Sequence, residues 1–407
     1  MNIFPQLSGL FTLAILISYV NYRFIKMHST IAITLSAMLM SIFLIASSHL
    51  GLQGFDEKLA HTLDQLNFNE LLINGMLSFL LFAGALSIDL RVLKQERWEI
   101  MILAFFGTIA STFIIGTLVY YLLMLLNHPF AYVYCLLFGA LISPTDPIVV
   151  LAIFKTAGMP KSLDARLSGE SLFNDGVGVV LFLTIYSVAF GGDEASVGNV
   201  VGLFLQEAIG GILYGIVIGY IGYRLIKTIN DACLEILMTL AIVMGGYALA
   251  QAISISGPLA MVVAGIVIGS FGRSLKSFGH IDHFWEVIDT ALNAMLFLLI
   301  GLEIILIPLS VFALITGIMA IVITLVARIL SVGLPLSLMQ YYRTYEPYSK
   351  RIMIWGGLRG GLAIALALAI PAGSERNIIL PMTYAVVLFS IFVQGLSVHR
   401  LITRSKQ

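Results

Sequence analysis

Ser143-Pro144-Thr145-Asp146-Pro147 and, one helix further on, Glu170-Ser171-Leu172-Phe173-Asn174-Asp175-Gly176 lie within one stretch, Leu141 to Gly178, flanked on both sides by strongly apolar sequence. A carboxylate at bilayer depth is costly and seldom kept without a task. Asp146, Glu170 and Asp175 all fall here, beside prolines that interrupt a helix. Pro144 and Pro147 each lack a donor N–H, and each disfavours helix in the residue before it. The chain is expected to unwind between them and free the Thr145 carbonyl and its neighbours. Irregular backbone at membrane depth is tolerated only where it is buried in protein or lines a cavity. Helices broken at the midplane are a common way for transporters to build ion sites. A kinked structural helix, with Asp146 capping the half-helix that follows, is the plainer alternative, and the two readings are compatible.

The rest of the chain supplies the membrane. Of 407 residues, 59% are hydrophobic and 11% charged, against roughly 25% charged in soluble domains. The fold class expected is an all-α polytopic membrane protein. About thirteen spans of roughly 20 residues are read at 7–24, 29–48, 70–88, 99–126, 131–154, 165–190, 198–225, 232–252, 257–271, 284–307, 309–340, 350–371 and 377–399. The first apolar run is followed, not preceded, by basic residues (Arg23, Lys26). That is the reverse of a signal peptide and places the N-terminus outside. With that orientation 18 of the 22 basic residues fall in inner loops and the short tail after about His399. Lys58 and Arg376 fall outside, and Arg328 and Arg359 lie within spans. This is the positive-inside pattern, and one missed span would destroy it downstream. The outer loop at 50–70 is acidic (Asp56, Glu57, Asp64, Glu70).

Several function classes lose support at this point. The formal net charge is zero, so no basic face for nucleic acid is implied. Gly356-Gly357-Leu358-Arg359-Gly360-Gly361 is glycine-rich but lacks the Gly-Lys-Ser/Thr ending of a phosphate loop. Cys135 and Cys233 sit in apolar runs and read as small buried hydrophobes. His280-Ile281-Asp282-His283 reads as a solvated inner loop, Trp98, Trp285 and Trp355 as interfacial anchors, and Glu303 as an interfacial acid, with a place facing the outer funnel as the alternative.

The charged and polar residues left inside the spans carry the chemistry. Glu170 with Asn174, and Ser171 with Asp175, are spaced i, i+4 and project from adjacent strips of one helix. Gly176 and Gly178 permit close approach of another helix. Desolvation brings a carboxyl group into the range where a proton and a cation compete for it. Asp175, Ser171, Asp146 and the Thr145 carbonyl are oxygen donors suited to a hard cation such as Na⁺, by extension of the rules for calcium and magnesium. Arg328 and Arg359 need partners, because a buried unpaired cation is expensive. Glu170 is the candidate for Arg328, and Arg359 is placed to offset the negative ends of half-helices or a nearby acid.

Taken together, Ser143–Pro147, Gly169–Gly176, Ala327-Arg328-Ile329-Leu330 and Gly356–Gly360 resemble the sodium/proton antiporters of the NhaP/NHE type, within the monovalent cation:proton antiporter-1 family. Order and spacing match over essentially the whole membrane chain. The resemblance implies thirteen helices, an inverted repeat, a homodimer, and a six-helix core in which unwound helices five and twelve cross. It implies Asp175 as the cation- and proton-binding acid, with Asp146, Thr145, Ser171 and Asn174 completing the site. Asn174 stands where electrogenic relatives have a second Asp. Glu170 pairs with Arg328, and Arg359 stabilises the core. Some relatives carry a glutamate on the third helix; Leu81-Phe82-Ala83-Gly84 puts Ala83 at that place.

The expected organisation is a dimerisation domain at 1–97, core at 98–190, linker helix and further dimerisation helices at 191–307, core at 308–400 and a short cytoplasmic tail at 401–407. The expected activity is electroneutral exchange of Na⁺ or Li⁺ for H⁺ across a bacterial inner membrane, with no cofactor and no nucleic-acid partner. A K⁺/H⁺ antiporter of the same fold is the nearest alternative. An intramembrane enzyme or sensor is more distant, because the seven histidines lie in or near loops and span ends.

Overall fold

The computed structural model describes residues 3–49, 71–88, 90–157, 159–191, 197–275, 278–306, 310–343, 345–346 and 348–404. The acidic loop expected at 50–70 lies outside the described residues. Among those described, all regular structure is helical. The chain runs through α1 (Ile3–Val20), α2 (Ser29–His49), α3 (Leu77–Leu86) and α4 (Leu90–Gln95). It continues with α5 (Arg97–Leu125), α6 (Tyr132–Ile142), α7 (Ile148–Ala157), α8 (Lys161–Phe190) and α9 (Val197–Ile226). There follow α10 (Ala232–Ala252), α11 (Gly257–Gly272), α12 (Phe278–Leu302), α13 (Val311–Met339), α14 (Ser349–Trp355), α15 (Gly361–Leu368), α16 (Ser374–Phe389) and α17 (Gly395–Arg404).

Helix ends follow local chemistry. Asp231 accepts hydrogen bonds from the Cys233 and Leu234 amides to cap α10, Ser256 caps α11 just before Pro258, and Ser310 caps α13. Among the described residues, eight helices are long and apolar enough to cross a bilayer. The short ones are informative where they come in pairs. α6 stops at Ile142 and helix resumes only at Ile148; α14 stops at Trp355 and α15 begins at Gly361. The first is the break that the proline pair leads one to expect, and the second, at the glycine run, is the one that the resemblance implies.

The helices pack as two groups. α3, α10, α11 and α12 share a core around Phe82, Val243, Tyr247, Met261 and Trp285, with α9 laid along α11 and α2 along α12. α5, α6, α8, α13, α15 and α16 pack around the breaks, with α7 against α17. α8 touches both groups, reaching α9 and α11.

Three expectations are corrected. Cys233 is exposed rather than buried, because it sits in the first turn of α10; Cys135 is buried as expected. Trp285 is buried, donating from Nε1 to Thr239 Oγ1 at 2.9 Å, so it anchors helix packing rather than an interface. His280–His283 form the first turns of α12 and not a loop; His283 pairs with Glu286 on the surface.

Candidate ion-binding site

The two breaks meet. The Asp146 amide donates to the Leu358 carbonyl at 2.8 Å, so each unwound segment satisfies part of the other's backbone. Asp146 Oδ1 accepts from the Ile148 amide at 3.0 Å and caps α7. The capping reading therefore holds, while Oδ2 faces Gly360. A Cβ built on Gly360 would stand 2.3 Å from that oxygen, so only glycine allows the approach. Pro144 is met from the other side by Gly178, whose missing side chain lets α8 close on the break.

α8 contributes the polar strip. Ser171 donates its hydroxyl to the Thr145 carbonyl. Asn174 uses both ends of its amide on the same residue: Oδ1 accepts from the Thr145 amide at 3.2 Å, and Nδ2 donates to Thr145 Oγ1 at 2.9 Å. Sequence reasoning grouped Asn174 with the ion ligands; in the structure its amide is committed to holding the unwound chain. Asp175 is half-buried and lies within electrostatic reach of both Asp146 and Arg359.

The arginines take distinct partners. Arg359, almost wholly buried, donates through Nη1 to the Ser143 and Pro144 carbonyls, the second at 2.9 Å. It thus covers the negative end of α6, where carbonyls have lost their helical donors. Its own amide donates to Ser390 Oγ at 2.8 Å, and Ser390 donates on to Gln394 Oε1 at 2.7 Å, across a wide π-type turn at Ser390–Gln394. Arg328 grips Glu170 with both terminal nitrogens, Nη2 to Oε2 at 3.0 Å, and also donates to the Met353 carbonyl at 2.9 Å. This is the expected pairing, and it ties α8 to α13 and α14. Thr324, Arg328, Gly357, Arg359 and Gln394 help to line a small cavity behind the breaks.

α3 adds no polar side chain at the position the resemblance singles out. Ala83 is buried, in the apolar core shared with α10 and α11, and its neighbour Gly84 faces Leu172 of α8. Among the described residues no cluster of three His, Cys, Asp or Glu could hold a metal ion. Asp146 and Asp175 are the carboxylates at the breaks, with the Ser171 hydroxyl and the Thr145 carbonyl as neutral oxygens beside them.

The transmembrane sodium/hydrogen exchanger family matches residues 8–404. The chain belongs to that family. Among relatives of this exchanger, the Na⁺/H⁺ antiporter NhaP of Pseudomonas aeruginosa is 44% identical over 400 residues, spanning 96% of this chain and 94% of the relative. The Na⁺/H⁺ antiporter NhaH of Halobacillus dabanensis is 39% identical over 347 residues, 83% of each chain. The structure of the sodium proton antiporter MjNhaP1 from Methanocaldococcus jannaschii superposes on this exchanger with a TM-score of 0.77 at 19% identity, covering 98% of this chain and 97% of the other. That likeness shows a shared fold.

A second polar cluster of this exchanger escaped sequence reasoning. It lies at the end of the bundle where α5, α8 and α14 begin. Arg166 donates to Glu96 at 2.8 Å and to Ser349 at 3.2 Å, Arg343 pairs with Glu96 and Glu99, and Ser162 donates to Glu346 at 2.6 Å. Burial pushes the Glu346 carboxyl up, but the Ser162 hydroxyl and Arg166 guanidinium outweigh it and hold it below its ordinary range. Burial and Glu99 push the Tyr345 phenol up to about 12. No local signal marks this cluster, because its members come from three separate stretches of the sequence.

Proposed function

We propose that this chain exchanges Na⁺ or Li⁺ for H⁺, one for one, across a bacterial inner membrane, and that the two cations compete for Asp175. The observation that carries the reading is the balance of buried charge. Glu170 and Arg328 cancel as a bidentate pair. Arg359 offsets one of the two remaining acids, Asp146 and Asp175. The empty site then has one negative charge in excess. Either a proton or a monovalent cation brings it to zero.

A net charge withdrawn into low dielectric costs several kcal/mol. The neutral, occupied site can therefore move past its surroundings, and the empty one is held back. That asymmetry couples the two fluxes without any further device. Asp146, the Thr145 carbonyl and Ser171 are the remaining ligands, and Asn174 acts by fixing Thr145. The moving unit is the core at 98–190 and 308–400. The static unit is the dimerisation domain at 1–97 and 191–307, shared by two copies of the chain, with the N-terminus outside and the C-terminus cytoplasmic. The curated relatives named as Na⁺/H⁺ antiporters support the choice of ions.

The test is exchange in proteoliposomes followed by pH-gradient dequenching with Na⁺, Li⁺ and K⁺ in parallel. We expect Na⁺ and Li⁺ to dissipate the gradient and Asp175→Asn to abolish the response. An Asp175→Asn variant exchanging at the wild-type rate would falsify the assignment. Dissipation by K⁺ alone would move the reading to a K⁺/H⁺ antiporter.

A further inference from the structure

Glu303 is a buried carboxylate, not the interfacial acid expected from the sequence, and the exchange scheme does not use it. It is 3% exposed, in the single turn that follows α12, and accepts a hydrogen bond from Tyr384 Oη at 3.4 Å. The two residues belong to different helix groups. Glu303 is fixed to α2: Ser41 Oγ donates to the Gly301 and Leu302 carbonyls, and a Cβ on Gly301 would meet Ala37 at 2.5 Å and the Thr34 carbonyl at 2.7 Å. Tyr384 is fixed to the other group. It lies in α16, which packs along α13 and α15, and a Cβ on Gly317 of α13 would meet Ala385 at 2.7 Å. Arg376, in the first turn of α16, lies within electrostatic reach of Tyr384.

The position along the membrane axis gives the bond a direction. Tyr384 precedes Ser390, the residue that holds the Arg359 amide, by six residues, or about 9 Å of helix rise. It precedes it toward the end where α12 finishes and α13 and α16 begin. Under the proposed orientation that end is the outer one. The side-chain bond therefore joins the two groups on the outer side of the breaks.

We infer that Glu303 and Tyr384 form an outer latch between the dimerisation and core domains, which opens each time the site turns outward. This rests on the antiport reading above, in which the core moves against a fixed partner. The bond is made in the arrangement described here, so it favours that arrangement over one in which the two groups have shifted past each other. The residues are positioning residues: they touch neither the cation nor Asp175. Loss of one hydrogen bond corresponds to a shift of about two- to tenfold in the inward-to-outward ratio.

Two experiments on the full-length protein in liposomes test it. In a background with Cys135→Ala and Cys233→Ser, the pair Glu303→Cys and Tyr384→Cys is joined with a short bifunctional methanethiosulfonate reagent. We expect Na⁺/H⁺ exchange to stop on cross-linking and to return on reduction. Exchange that continues undiminished in the cross-linked protein overturns the latch. Separately, Tyr384→Phe keeps the ring and removes only the hydroxyl. We expect the apparent KM for Na⁺ to move in opposite directions on the two faces of the membrane, by several-fold, with the melting temperature little changed. KM values unaltered on both faces overturn the latch. Wild-type protein that shows no exchange removes the antiport reading and the latch with it, whereas exchange by the wild type together with exchange that survives cross-linking in the double-Cys variant removes the latch alone.

Discussion

Asp146 performs three tasks with three groups: its amide joins the second break, Oδ1 caps α7, and Oδ2 stays beside the bare Cα of Gly360. Such economy leaves little tolerance. A methyl group at position 360 would overlap both Oδ2 and the Asp146 Cβ, at 2.3 and 2.7 Å; Cβ adjoins the backbone, and the carboxylate is pinned through Oδ1 to the Ile148 amide. We predict that Gly360→Ala lowers exchange at least tenfold while the protein still reaches the membrane, a result read from initial dequenching rates normalised to protein. A rate within twofold of wild type would mean that the crossing of the breaks is looser than the contacts imply. Asn174 is constrained in another way: both ends of its amide are engaged by Thr145, and an amide, unlike a second acid, neither takes up nor releases a proton.

At the scale of elements, two ion-pair systems differ in burial and therefore in what their loss should do. Glu170 and Arg328 are almost fully enclosed, at 1% and 6% side-chain exposure. Removing one partner strands a buried charge, at a cost of about 3–5 kcal/mol, whereas replacing both with apolar groups is often close to neutral. We predict that Glu170→Leu and Arg328→Met each lower the melting temperature sharply and that the double variant recovers most of it. A double variant as unstable as the singles would assign the pair a role beyond mutual compensation. The cluster at the other end of α8 is partly open, with the Glu346 side chain 34% exposed. Its carboxyl titrates below the unfolded value of about 4.3, so its contribution is complete above that pH and fades as pH falls through the folded value. Glu346→Gln should therefore melt earlier than wild type near neutrality, converge with it in acid, and leave the pH profile of exchange between about pH 6 and 9 unmoved. A displaced profile would make Glu346 a sensor instead of a clamp.

For the whole molecule, the decisive quantity is the charge carried across the bilayer per cycle. Moving one elementary charge through 100 mV is worth about 2.3 kcal/mol, or about 50-fold in a driven equilibrium. The one-for-one exchange proposed above carries none. A K⁺ diffusion potential imposed at balanced Na⁺ and H⁺ gradients should therefore drive no Na⁺ uptake, measured with ²²Na⁺. Uptake that follows the potential would require a second proton, and Asn174 offers no site to carry it. The same scale explains the small-residue packing of the scaffold. Without a hydrophobic drive between helices in lipid, close approach of backbones is what holds them, as where Gly301 of α12 meets α2.

Much of the candidate site could be read from the chain alone, because its signals are local and steric. A proline removes a donor wherever it stands, a glycine run weakens a helix wherever it stands, and an acid among apolar residues is conspicuous at once. Those facts located both breaks, the polar strip of α8 and the need of Arg328 for an acid. The tertiary structure decided which atoms meet. That Arg359 covers the Ser143 and Pro144 carbonyls, 216 and 215 residues away, that Asn174 clamps Thr145, and that Glu303 crosses to Tyr384 all depend on where helices cross. Helix crossings are set by side-chain packing summed over whole helix faces, and no short stretch of sequence contains that sum.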